Sequence, residues 1–380
     1  MKKIIDDELN KLAESGNLRA LPCDIYGDAD LVDLSSNDYL GLSSRQDLKE
    51  EFFAKFNMND FCMSACSSRL LASRQKSFYN LESSIEEAFG SSKKALIFNS
   101  GYHANVGIVS AIGTTDVHIL ADKLVHASII DGIRLSKASF ERFRHNDISH
   151  LADLAHKAFL TGKKILIIAE SVYSMDGDSA PIKSLVEIKN SIPGAMLYID
   201  EAHALGVEGP GGLGLVAKAG LTEDVDILVG TFGKALSSVG AFALCSKELK
   251  DYFINRARSF IFSTALPPIN IDWTQFVFLK SLEMDTERAK LKVLCSTLSS
   301  ILHPFGGSGA PQHIAPLIIG NPLKAVEISA RLRQDGFLAL PIRRPTVPPG
   351  TDRIRFSLSA AIDKEHLYKL QQSLSRILNA

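Results

Sequence analysis

Several polar residues stand where apolar segments end, and their chemistries suit one another. Lys234, in TFGKA, follows a glycine and sits among Phe232, Ala235 and Leu236. Partial desolvation there would lower its pKa and free the amine for Schiff-base chemistry. Asp200, in YIDEAH, puts a carboxylate at a strand end, with His203 just beyond it. Such a carboxylate can keep a pyridine nitrogen protonated and make the ring an electron sink. His126, in ADKLVHAS, offers an imidazole able to stack on a flat heteroaromatic ring. The run NSGYHAN, Asn99 to Asn105, follows the strand-like ALIF. Gly101 permits close backbone approach there, and the amides that open the next helix can bind a phosphate. Singly each has an ordinary explanation: a turn glycine, a surface acid, a satisfied core histidine, a solvated lysine. Together, in this order on one sheet edge, they describe a cofactor site.

The elements that must position these residues are legible as a rhythm. ALIFNS, DVHILAD, KKILIIAES, AMLYIDEA, DILVGTFGK and GAFALCS are apolar strand candidates. Each apolar run is followed by Gly, Asn, Asp or Ser, and usually then by a helical stretch. The alternation predicts an α/β fold, a mostly parallel sheet with helices on both faces. Ligands of such sheets gather at the carboxyl ends of the strands. Ile4, Ile5, Leu9 and Leu12 suit one face of an opening helix, followed by a linker with Pro22 and Gly27 and a short strand in LVDLSSNDYLGL. After Pro267-Pro268 a new unit is expected, with a long helical stretch, strands near Ala315 to Gly320 and in RIRFSLSA, and a terminal helix from Lys364. The expected organisation is an N-terminal helix and arm over 1–38, a large domain over 39–268 and a small C-terminal domain over 269–380.

Composition narrows the function classes. The 380 residues carry 42 Lys and Arg against 43 Asp and Glu, a net charge of −1 with no basic stripe. An extended nucleic-acid surface is not expected. No signal-peptide core follows the two N-terminal lysines, and runs such as ILIIA are far short of a membrane span. Cys23, Cys62, Cys66, Cys245 and Cys295 are scattered, as cytoplasmic thiols are, and Cys62 with Cys66 lacks partners at zinc spacing. The expectation is a cytoplasmic protein with no metal and no membrane segment.

The sequence resembles the α-oxoamine synthases, fold-type-I enzymes that use pyridoxal 5′-phosphate (PLP) to condense an amino acid with an acyl thioester and release carbon dioxide. The resemblance runs through LSSNDYLGL, SGYHAN, ADKLVHAS, ESVYSMDGDSAP, IDEAHALG, TFGKALSSVGA, IFSTALPP and PTVPPGTDRIRFSLSAA, nearly the whole chain. It implies a fold-type-I transferase: a large PLP domain with a mixed, mostly parallel sheet, and a smaller α+β C-terminal domain. Lys234 matches the aldimine lysine, Asp200 the pyridinium partner, His203 the group near the ring hydroxyl and His126 the stacking histidine. Ser174 matches a serine near the ring oxygen. Gly101, Tyr102 and His103 match the phosphate turn, to which Thr231 adds a hydroxyl. Ser263 and Thr264 resemble residues that reach the neighbouring subunit's phosphate, which implies a homodimer. Asn37 and Arg355 match the pair that grips the amino-acid carboxylate, a contact for which a bidentate guanidinium is apt.

Within the family, SMDGDSAP and the short N-terminus are most like the branch that joins L-alanine to a pimeloyl thioester, on coenzyme A or acyl carrier protein, in biotin synthesis. Arg19 aligns with an arginine of the pimeloyl side. Two alternatives remain open. One is a glycine-using member such as 2-amino-3-ketobutyrate ligase or a 5-aminolevulinate synthase-like enzyme. The other is a non-catalytic partner subunit, although such subunits lack the lysine that Lys234 matches. The chain departs from the family at Ser64 to Glu82, where Ala65, Cys66 and Ser73 replace expected glycines and Phe78 stands at the place of a histidine.

Overall fold

The computed structural model describes residues 1–19, 31–56, 62–73, 75–307, 310 and 312–378. The expected linker residues Pro22 and Gly27, and Cys23, lie outside them. The chain divides into two compact units, one of residues 1–39, 174–178 and 289–380 and the other of residues 40–173 and 179–288. This division does not follow the Pro267-Pro268 break: the helix Pro268–Ser281 belongs to the larger unit.

The larger unit is built on seven strands: β1 (Lys94–Phe98), β2 (Val117–Asp122), β3 (Ser139–Phe143), β4 (Lys164–Glu170), β5 (Met196–Asp200), β6 (Ile227–Thr231) and β7 (Ala241–Cys245). They lie in the order β1-β7-β6-β5-β4-β2-β3. β7 is antiparallel to both neighbours, and every other pairing is parallel. The fold is thus the expected α/β type, with a mostly parallel mixed sheet. Strands β4 to β7 are buried along nearly their whole length, so their Val, Ile, Leu and Ala runs do not alternate with polar residues. Leu96, Ile119, Ile168, Tyr198 and Val229 join side chains of the covering helices in one core.

Two helices matter most for the site: α1 (Gly101–Ile112), which leaves β1, and α2 (Ala127–Leu135), which follows β2. Gly132 sets their approach. A Cβ there would lie 2.9 Å from Val109 Cβ and 3.0 Å from the Asn105 carbonyl oxygen.

The smaller unit holds a three-stranded antiparallel sheet, in which Arg353–Ser357 lies between Pro341–Ile342 and Ile314–Ile318. Val32–Asp33 pairs with Phe337–Leu338, and the helix Lys364–Leu378 ends the described chain. Arg353 and Arg355 fasten residues 174–178 to this unit. Arg353 bonds the Met175 carbonyl and Asp176, and Arg355 bonds the Ser174 carbonyl. Gly177 takes a φ of 74°, and a Cβ would run into the Ile314 carbonyl, so only glycine fits this turn. The opening helix, Lys2–Glu14, forms as expected but buries no residue: Ile4, Ile5 and Leu9 are exposed.

Candidate active site

Sheet register brings the larger unit's site residues together. Phe98 and Thr231 both pair with Ala241, so the turn after β1 stands beside the end of β6. A Cβ on Gly101 would lie 3.7 Å from Thr231 Oγ1. Ser100 caps α1 by accepting from the His103 amide at 3.2 Å. The first amides of α1 have no partner within the helix and point outward, the arrangement that binds an anion. Thr231 bonds the Gly240 carbonyl through its hydroxyl at 3.1 Å. Tyr102, half exposed, donates to Asp131 at 2.5 Å. The His103 ring meets Ser100 Oγ at 2.8 Å.

Lys234 lies just beyond β6, half-buried, with its Nζ 2.7 Å from His203 Nε2. His203 is almost fully buried on the loop that leaves β5. A tight turn follows the lysine, closed by the Ser237 amide on the Lys234 carbonyl at 2.9 Å. Ser237 adopts a φ of 46°, a left-handed conformation unusual for serine.

Asp200 ends β5 and is buried. Its Oδ1 accepts the Ala202 amide at 2.9 Å and its Oδ2 accepts Asn105 Nδ2 at 2.8 Å. Asn105 Nδ2 also donates to Ser128 Oγ at 2.9 Å, and Asn105 Oδ1 accepts the Tyr198 hydroxyl at 2.5 Å. Ser128 Oγ meets His126 Nδ1 at 2.7 Å. His126 caps α2, its Nδ1 accepting the Ser128 amide at 3.2 Å. Solvent reaches part of the imidazole, yet its Nδ1 edge is packed inward, and this burial pushes it below the usual histidine range; Lys234 pushes the same way and Asp200 opposes. Asn105, Ser128 and Tyr198 were given no role on sequence grounds. The available signal was an asparagine inside an otherwise apolar helix.

Two more buried carboxyls flank Asp200. Glu170, at the end of β4, is pushed well above the carboxylate range by burial and by the charge of Asp200. Burial raises Glu201 to about 7, against hydrogen bonds from Ser171 and the Val216 and Leu215 amides.

Ser263 lines a cleft of the larger unit with Tyr102, His103 and Phe262. The Thr264 carbonyl accepts Asn99 Nδ2 at 2.6 Å. In the segment that departs from the family pattern, Cys66 takes a φ of 57° at an expected glycine position. Phe78, at the histidine place, is buried and carries the Arg69 guanidinium 4.3 Å above its ring. Arg69 also pairs with buried Glu82 at 2.5 Å.

The remaining predicted residues belong to the smaller unit. Arg355 is buried there, donating from Nε to the Ser174 carbonyl at 2.7 Å and from Nη2 to Asn37 Oδ1 at 3.1 Å. Tyr39 donates to the same Asn37 oxygen at 3.1 Å. Arg355 and Asn37 are therefore neighbours, and Tyr39 also bonds the Arg355 guanidinium. Arg19 is exposed and donates to Thr346 Oγ1 at 2.8 Å. Among the described residues no cluster of His, Cys, Asp or Glu could hold a metal ion, and no helix is long and apolar enough to cross a membrane.

The "Aminotransferase class I and II" family model matches residues 29–374. A protein of Pasteurella multocida named "Putative 8-amino-7-oxononanoate synthase" is 44% identical over 95% of this chain and 95% of its own length. One of the same name from Neisseria meningitidis serogroup A is 43% identical over 94% and 96%. Among solved structures, a variant of serine palmitoyltransferase from S. paucimobilis superposes with a TM-score of 0.88 at 26% identity, covering 99% of this chain and 98% of that one. The 8-amino-7-oxononanoate synthase of Francisella tularensis does so with 0.78 at 28% identity, covering 93% and 98%. The chain belongs to the class I and II aminotransferase family and, within it, to the α-oxoamine synthases.

Proposed function

We propose that this enzyme joins L-alanine to a pimeloyl thioester with loss of carbon dioxide, giving 8-amino-7-oxononanoate, a step toward biotin. The observation that carries the reading is the 44% identity, over nearly the full length of both chains, to a relative bearing that activity's name.

The residues fit PLP as the cofactor. A half-buried amine beside an imidazole, helix amides open to an anion, and a buried carboxylate are the donor set that an aldehyde, a phosphate and a pyridine nitrogen require. Glu170 Oε1, buried at the same strand ends, has no hydrogen-bond partner, as in a pocket shaped for a ligand. Lys234 would hold the cofactor, with Asp200 at its ring nitrogen, His203 and Ser174 at its ring oxygen and His126 on its face. Gly101, Tyr102, His103 and Thr231 would hold its phosphate. When bound, PLP supplies the electron sink for the bonds broken at the alanine Cα.

Every other task falls to the chain. Arg355 and Asn37 grip the alanine carboxylate and orient it. Lys234 Nζ, once displaced, takes the Cα proton as general base and later returns one after carbon dioxide has left. His203, 2.7 Å from that nitrogen, keeps a hydrogen bond on it. Arg19 receives the distal end of the acyl donor. The active unit is a homodimer in the cytoplasm. Tyr102 and Phe262, large exposed side chains beside Ser263, support the homodimer. Sedimentation equilibrium showing only monomers would remove the dimer.

The test of function is to incubate purified protein with alanine or glycine and with pimeloyl-coenzyme A or pimeloyl-acyl carrier protein, then identify products by mass spectrometry. The expected product is 8-amino-7-oxononanoate from alanine with at least one donor. Turnover confined to glycine, or to other acyl chains, overturns the assignment.

A further inference from the structure

We infer that Asn105 is a positioning residue that sets two cofactor contacts at once, orienting Asp200 directly and fixing the tautomer of His126 through Ser128. The inference rests on the proposed roles of Asp200 and His126. Its own content is a hydrogen-bond chain whose directions are determined by the atoms in it.

The direction starts at Asp200, whose carboxylate can only accept. Asn105 must therefore turn Nδ2, not Oδ1, toward it, at 2.8 Å. The opposite amide orientation would set oxygen against oxygen. The second Nδ2 hydrogen then goes to Ser128 Oγ at 2.9 Å, and Asn105 Oδ1 is left to accept from Tyr198. The Ser128 amide donates to His126 Nδ1, which makes that nitrogen an acceptor. Ser128 Oγ, 2.7 Å from the same nitrogen, must then donate its hydroxyl hydrogen to it while accepting from Asn105. With two donors aimed at Nδ1, the neutral ring must carry its proton on Nε2.

Asn105, Ser128, Asp200 and Tyr198 are all at least nine-tenths buried, so water cannot readily replace a lost partner. The charged and titratable groups facing His126 are Asp200, Lys234 and Asp131, and Glu170 receives its backbone amide. Burial, which favours the neutral imidazole, agrees with the geometry. Gly132 makes the chain possible. It lets α2 lie against α1 at Asn105, and Ser128 stands one helical turn before it.

The experiment labels the full chain with ¹⁵N-histidine and records ring-nitrogen shifts with and without PLP. His126 is assigned by the signal missing from His126→Asn. Wild type should show His126 with Nδ1 unprotonated and Nε2 protonated at neutral pH. Ser128→Ala should shift His126 toward a mixture of tautomers while leaving the Asn105–Asp200 bond. Asn105→Ala should do the same and also weaken PLP binding about tenfold, the usual effect of leaving a buried carboxylate short of one donor. Gly132→Ala, which keeps every polar group, should reproduce the Ser128→Ala shift and covers the case in which Asn105→Ala does not fold. A wild-type His126 protonated on Nδ1, or a tautomer unmoved by Ser128→Ala, overturns the inference while the proposed function stands. A wild-type protein that shows the predicted tautomer but takes up no PLP overturns the function and leaves the chain of bonds intact.

Discussion

Glu170 and Asp200 are direct partners at the carboxyl ends of the parallel strands β4 and β5, both buried, and they are not equivalent. Asp200 accepts two N–H groups, from Asn105 and Ala202. Glu170 keeps one oxygen without any partner, and burial together with the charge of Asp200 pushes its carboxyl well above the carboxylate range. The N–H donors at Asp200 suit a carboxylate acceptor, and the unpartnered oxygen of Glu170 meets no such donor.

Asp200→Asn should therefore retain PLP but lose rate by about 10²-fold or more, as expected when a charge aimed at the transition state is removed. Glu170→Gln removes a carboxyl whose charged form burial already disfavours, and should cost far less. The measurement is kcat for each variant with PLP content checked by visible absorbance. Equal losses in the two variants would show that the carboxyls do not divide the labour in this way.

Lys234→Ala should abolish covalent attachment of PLP and all turnover without unfolding the protein, since the side chain is only half-buried. Borohydride reduction of wild type followed by peptide mapping should find the pyridoxyl group on Lys234. A label on any other lysine refutes the assignment.

Much of this candidate site could be read from the sequence, because strand ends collect ligands, Asp200 and Thr231 close apolar strands, and His203 and Lys234 each stand three residues further on. The edge strand Ser139–Phe143 could not. Its sequence, SFERF, carries two adjacent charges and no apolar run, and it sits at the sheet edge beside a single neighbour. The chain from Asn105 to His126 was equally hidden, since its four residues come from three elements and only the approach of α1 to α2 joins them. The opening helix has the opposite history. Its apolar stripe forecast the helix correctly, but a stripe does not say what it packs against, and Ile4 and Ile5 stay exposed. Arg353 and Arg355 explain why residues 174–178 leave the larger unit, a tertiary bond that no local pattern announces.

Cys66 holds a left-handed backbone, φ 57°, where the family pattern has glycine. That conformation costs an L-residue roughly 1–2 kcal/mol, and glycine gives back part of the gain through its freer unfolded chain. Cys66→Gly should stabilise the protein by about 0.5–1 kcal/mol, read from urea unfolding midpoints. A lower midpoint would mean that the cysteine side chain contributes a contact worth more than the strain.

The stability of the larger unit should carry a signature of Glu201, whose carboxyl is raised by burial from 4.5 to about 7. Between those values the folded state holds a proton that the unfolded state has released. Stability from this group is then full below pH 4.5 and is lost as pH rises through 7. The loss is on the order of 3 kcal/mol. Glu201→Gln keeps an acceptor for the Val216 amide but cannot ionise. Its stability relative to wild type should climb between pH 5 and pH 8, measured as the difference in urea midpoints. A difference independent of pH would show that Glu201 is charged throughout.

Arg355 and Arg19 lie in the same unit and are assigned opposite ends of the reaction's substrates. Arg355 is buried, and its fork already meets Ser174 and Asn37, so it is held in place before any carboxylate arrives. Arg355→Ala should cost roughly 2–4 kcal/mol of alanine binding, a rise in KM of about 30-fold or more, and spare the acyl donor. Arg19 is exposed and donates to Thr346. Arg19→Ala should leave alanine KM alone and raise that of the pimeloyl donor. The effect should shrink with donors that lack a terminal carboxylate or ester, because then the guanidinium has nothing to bind. Measuring both KM values for both variants, with two acyl donors of equal length, separates the roles. If Arg19→Ala leaves donor selectivity unchanged, the pimeloyl end is read elsewhere, and Arg19 is a surface residue paired with Thr346.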